Sequence, residues 1–151
     1  ETGNTEGARS WCRLLAERSG EGWPAAMCRM YLMAGEAAPD LGRLAELRRQ
    51  AESWPYWPSV AQEFEALAAV LYARAGREDR ARNVLAGLQA AAAGSDLPFL
   101  RAWALLELGE VDLARTILEE HVAASPATRA SLFESRRFRK LGGPEAEGRD
   151  G

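Results

Sequence analysis

The chain has 151 residues, 47% of them apolar and 27% charged, with a formal net charge of −3. That length suits one domain able to bury roughly two-thirds of its unfolded surface. The mild negative charge gives no electrostatic basis for a nucleic-acid or acidic-lipid partner, and no apolar run reaches the ~20 residues of a membrane span.

Alanine, leucine, glutamate and arginine dominate and β-branched residues are scarce, so the expectation is an all-α protein. The opening Glu1-Thr2-Gly3 resembles the residues left by a vector signal peptide. Residues 1–4 are therefore expected to be leader residues, residues 5–141 one helical domain, and the polar residues 142–151 a disordered tail. That start, together with a possible disulfide, leads to the expectation of a secreted or extracytoplasmic location, with a cytoplasmic one still open.

Thr5 is expected to cap a first helix carrying Trp11, Cys12, Leu14 and Leu15 on one side. Ser19-Gly20-Glu21-Gly22 breaks it. Trp23-Pro24 opens a second helix, with Met27, Cys28, Tyr31 and Leu32 on one face, ending at Gly35. Pro39-Asp40 opens a third, with Leu41, Leu44, Leu47 and Ala51. Pro55 and Pro58 end it, because neither fits a helix interior. Ser59 is the expected cap of a fourth helix through Phe64, Leu67, Leu71 and Tyr72 to Gly76. A fifth is predicted over about Glu78 to Ala92. Ser95 or Asp96 caps the sixth, which carries Phe99, Leu100, Trp103 and Leu106. A seventh spans about Val111 to Ala124, and a last short helix after Ser125-Pro126 holds Leu132, Phe133, Phe138 and Leu141.

Part of this pattern occurs twice. YARAGREDRARNVL at Tyr72–Leu85 is echoed by LLELGEVDLARTIL at Leu105–Leu118, 33 residues on. Gly76 pairs with Gly109, Ala81 with Ala114, Arg82 with Arg115, and Leu85 with Leu118. A period near 33 built from two helices indicates a stacked array, since one hairpin cannot bury its own apolar face. Ala69, Tyr72, Gly76, Ala81 and Leu85, followed by Ala102, Leu105, Gly109, Ala114, Leu118 and Pro126, resemble the tetratricopeptide repeat family. A degenerate earlier unit is read with Cys28, Tyr31 and Gly35 in the corresponding slots and an insertion around 37–39. The family's early tryptophan and leucine-glycine pair are missing, and Leu88 and His121 stand where it has a late alanine. The resemblance implies a right-handed α-α superhelix, a solenoid of about seven to eight antiparallel helices.

Little in the chain points to chemistry. The only histidine, His121, has Glu119 and Glu120 beside it, and adjacent helix positions do not face each other. No Walker loop, GxGxxG, GxSxG or HExxH is present. One histidine and two cysteines make a zinc site an unlikely use of them. The expectation is a protein that is not an enzyme, with no cofactor and no metal.

Cys12 and Cys28 each lie eight residues from Gly20, at matching heights in an antiparallel hairpin, which favours a structural disulfide. The alternative is two buried thiols, with Cys28 filling a small slot. Trp54, Tyr56 and Trp57 are expected to pack over a repeat junction, the alternative being an exposed ligand platform. Arg129, Arg136, Arg137, Arg139 and Lys140 read as the solvated face of a capping helix, or else as an anion-docking site.

In the family resembled, first helices line a concave groove that holds a peptide or a partner helix. The positions carried over are Val70, Ala73 and Arg74, then Phe99, Trp103, Leu106 and Glu107, with Arg29, Leu32 and Met33 from the degenerate unit. The functional expectation is thus a non-catalytic protein-protein interaction module with a protein or peptide partner, monomeric or homodimeric. The alternative is a structural or dimerisation spacer in a larger extracytoplasmic protein, with Phe133, Phe138 and the tryptophan loop at a subunit interface.

Overall fold

A computed structural model describes residues 22–89 and 96–124, together with Ser10, residues 12–14 and Glu17. The readings that concern Thr5, Trp11, Leu15, Ser95, the helix after Pro126 with its basic run, and the two ends fall outside these residues. The described residues are helices joined by turns and short irregular links, without a strand among them. Six complete helices follow one another: α1 Trp23–Ala34, α2 Leu41–Glu52, α3 Trp57–Arg74, α4 Glu78–Gly87, α5 Leu97–Glu107 and α6 Val111–Ala124.

Helix α3 is the centre. It packs on α1, α2, α4 and α5, while α6 packs on α5. Its 18 residues include Phe64 and the unbroken buried run Ala66 to Tyr72. A helix apolar around its whole circumference can only sit inside, and small residues at 66, 68 and 69 let its neighbours approach. Ala81 of α4 and Ala114 of α6 are each 0% exposed, as close helix contact requires.

The two turns predicted as equivalent have the same backbone. Gly76 and Gly109 are left-handed, with φ of 73° and 77°. Arg77 N–H reaches Tyr72 C=O at 2.8 Å, and Glu110 N–H reaches Leu105 C=O at 2.9 Å. Gly76 N–H bonds Ala73 C=O and Gly109 N–H bonds Leu106 C=O, both at 3.0 Å. Together these are two Schellman motifs, in which glycine avoids the Cβ penalty and the last carbonyls find donors. Gly35 differs. Its φ of −85° is right-handed, and α1 ends in short-range bonds from Gly35 to Leu32 and Glu36 to Met33. The first turn is therefore not a third copy of the other two.

Two local expectations are corrected and one is refined. Ser59 is no cap, because α3 begins at Trp57 with Pro58 in its first turn and Tyr56 before it. Asp96 does stand at the N-cap of α5, its carbonyl accepting from Leu100 N–H at 3.2 Å, though its side chain makes no cap bond. Helix α4 stops at Gly87, well short of Ala92, since Leu88 turns extended and Gln89 N–H is held by the Gln62 side chain of α3 at 3.0 Å. By contrast Asp40 caps α2 as expected, accepting from Gly42 N–H at 2.9 Å and Arg43 N–H at 3.3 Å.

The tryptophan corner joins the first two helices to the rest. Trp57 meets Phe64 edge-on at 5.3 Å, one face along α3. Trp54 and Tyr56 stack at 5.6 Å, and the Tyr56 hydroxyl accepts the Trp23 N–H at 3.2 Å, satisfying an otherwise orphaned donor of α1. Cys12 and Cys28 lie at disulfide distance, with Cα atoms 5.0 Å apart.

Candidate functional site

Seven of the ten carried-over positions come from α3 and α5, which lie side by side, Ala73 among them being half-buried. Val70 is 0% exposed and Trp103 only 7%. Phe99 and Leu106 are half-buried. Arg74 and Glu107, 33 residues apart, form an ion pair at 3.1 Å across the two helices. Arg74 also donates to the Glu36 carbonyl at 3.4 Å, so one guanidinium links the end of α1 to α3 and α5. Glu107 accepts a second bond, from Trp103 Nε1 at 3.0 Å.

The Trp103 ring stacks on Tyr31 of α1 at 6.0 Å, with the planes 15° apart. Since both α1 and α5 pack on α3, the two rings meet across it. Val70 is buried, and Phe99, Leu106 and the ion pair are the parts of these two helices' carried-over set that keep some exposure, with Ala73. Phe99 in turn meets His121 of α6 edge-on at 4.7 Å. Of the positions assigned to the degenerate unit, Met33 is 1% exposed while Arg29 and Leu32 are half-buried. Tyr31 was read from the sequence as an internal slot of the first unit. Only the three-dimensional approach of α1 to α5 reveals its contact with Trp103.

A second polar cluster lies where α2, α3 and α4 meet. Arg48 of α2 bonds Glu65 of α3 at 2.8 Å and reaches the Tyr72 hydroxyl at 3.5 Å. Arg80 of α4 lies over the Tyr72 ring, 4.5 Å from its centre. Burial raises the Glu65 pKa above the usual carboxylate value, partly offset by the adjacent Arg48. Desolvation therefore outweighs attraction at this pair.

A cleft of about 270 Å³ opens between α1 and the end of α2, lined by Gly22, Ala26, Arg29, Gln50, Ser53 and Trp54. Among the described residues no group of three or more histidine, cysteine, aspartate or glutamate side chains could hold a metal ion. The carboxylates that stand near one another in sequence go to separate cations: Glu110 to Arg82, Glu107 to Arg74, and Glu36 to Arg43 at 3.7 Å. None of the described helices is long and apolar enough to cross a membrane. No protein-family model, no curated protein and no solved structure matches the chain.

Proposed function

We propose that the chain is a non-catalytic interaction module whose helices form a tetratricopeptide-like stack, with a peptide or helix of a protein partner bound along the row α1, α3, α5. The observation that carries this reading is the internal repetition. The same turn recurs at Gly76 and Gly109, and the Arg74–Glu107 pair bridges equivalent positions one period of 33 residues apart. An array of this kind offers one continuous face of first helices. On it Phe99 and Leu106 supply apolar contact, and the Arg74–Glu107 pair supplies polar anchoring for a partner backbone. Trp103, held by Tyr31 and Glu107, supports that face from beneath.

A photo-crosslinking amino acid at Leu106 tests this, with Asn83 on the exposed side of α4 as the control. The native partner should be trapped from Leu106 and not from Asn83. Equal trapping from both positions, or from neither with partner binding intact, would remove the groove. A second reading, a dimerisation or spacer domain, draws on Val111 and Leu113 of α6, which are 39% and 52% exposed. Light scattering that finds a monomer at high protein concentration would dispose of it.

A further inference from the structure

We propose that residues 130–142, which lie outside the described residues, are a third copy of the first helix of the repeat, docked on α5 as α5 docks on α3. The period of 33 continues one step past the two units compared above, since Gly76 and Gly109 are followed by Gly142 at the same interval. Ahead of each glycine the same slots recur. Leu67, Leu100 and Phe133 come nine residues before it, Ala69, Ala102 and Ser135 seven before it, and Tyr72, Leu105 and Phe138 four before it. In α3 and α5 all six of these side chains are buried. The third set thus keeps both the apolar and the small positions that helix contact uses.

Two features of α5 select this occupant. Ala102 to Leu105 are four consecutive buried residues, which at about 100° apart run round most of the helix, whereas its main described neighbours are α3 and α6. The equivalent buried run on α3 has four neighbours, so a further element on α5 completes the parallel. The second feature is charge. Arg74 pairs with Glu107 one period on, at 3.1 Å, and the residue one period beyond Glu107 is Lys140. A cation there continues the row with alternating sign, and a segment docked in this register brings it beside Glu107. The connection also fits, because residues 125–129 give a short link from the end of α6, within the roughly 2–8 residues that join neighbouring helices. Arg136, Arg137 and Arg139 stand where α5 has Trp103, Ala104 and Leu106. Charge in those slots suits the last helix of an array, whose outer face meets water instead of another unit. The assignment rests on the stacked repeat of the reading above, and not on its groove or its partner.

The test uses the full chain with a photo-crosslinking amino acid at Lys140. Illumination should link it, within one molecule, to the end of α5 around Glu107, as read by peptide mapping of the monomeric product. The same amino acid at Asp150, beyond Gly142, should give no such link. Amide hydrogen exchange is the second measurement. Phe138→Asp places charge in an apolar slot and Ser135→Trp overfills a small one. Each should speed exchange in α5 and α6 by about tenfold or more, while Arg137→Ala leaves it unchanged. A link formed only between two molecules would assign this face of α5 to a second copy and overturn the proposal. So would links that avoid α5, or wild-type exchange in both Phe138→Asp and Ser135→Trp. Such failures would leave the Arg74–Glu107 pair and the packing of α5 on α3 intact, and the trapping of a partner at Leu106 tests the groove separately.

Discussion

Replacing Gly76 by alanine isolates one physical effect, because a Cβ there would meet no atom within 4 Å. The cost must come from the backbone, whose φ of 73° lies in the left-handed region. Holding an L-residue there costs roughly 1–2 kcal/mol, while alanine returns about 0.4–1 kcal/mol by stiffening the unfolded chain. The net expectation is a loss of about 1 kcal/mol, or about 2–4 °C in Tm for a chain of this size. Gly109→Ala should cost the same, since its φ is 77° and its Cβ also meets nothing. Gly87 provides the opposite sign. It ends α4 with no positive φ and open space around it, so Gly87→Ala should stabilise by about 0.5–1 kcal/mol. Urea denaturation followed by circular dichroism measures all three. A neutral Gly76→Ala, or a gap above about 0.5 kcal/mol between the two turn variants, would refute the claim that the turns are the same motif.

Trp103→Ala should cost about 3–5 kcal/mol, since the ring is almost fully buried; a denaturation midpoint close to wild type would mean that the Tyr31 stack contributes little. Glu65 has its pKa raised by burial, so the folded state holds its proton more tightly than the unfolded chain does. Its contribution to stability is complete below the unfolded carboxylate pKa of about 4.3 and is lost as pH climbs through the higher folded value. The stability of wild type minus that of Glu65→Gln should thus be larger in acidic buffer than at neutral pH, and a difference growing with pH would contradict the burial argument. Closing the loop between Cys12 and Cys28, with a sequence separation of 16, should contribute about 3 kcal/mol in the chain-entropy picture. Thiol titration should find both sulfurs only after reduction, and an unchanged unfolding curve in reductant would argue against any bond.

What could be read from the chain was whatever short range decides. Gly76 and Gly109 announce their turns because only glycine takes that φ cheaply, and Asp40 announces its cap because its carboxylate reaches N–H groups two and three residues away. The end of α4 was not legible. Alanines after Gly87 favour helix, but the Gln62 side chain captures the Gln89 backbone from another helix. The same holds for Tyr56, whose hydroxyl meets a donor 33 residues earlier. At the proposed groove, sequence spacing named Val70 and Trp103 together, yet could not say that Tyr31 would stack on Trp103. Such contacts depend on how the helices cross, and periodicity carries no information on that.

Helix α3 also has a consequence for how the molecule comes apart. Linear helical arrays can fray unit by unit, because each unit touches only its neighbours. Here the four helices α1, α2, α4 and α5 all lean on α3, and the Tyr31–Trp103 stack ties α1 to α5 directly. Opening any one of them strips cover from the same buried run, Ala66 to Tyr72. Unfolding of α1 to α5 should then be a single cooperative event, with slow amide exchange throughout α3 set by the global free energy. Helix α6, whose main contact among the described helices is α5, should be the one to open first.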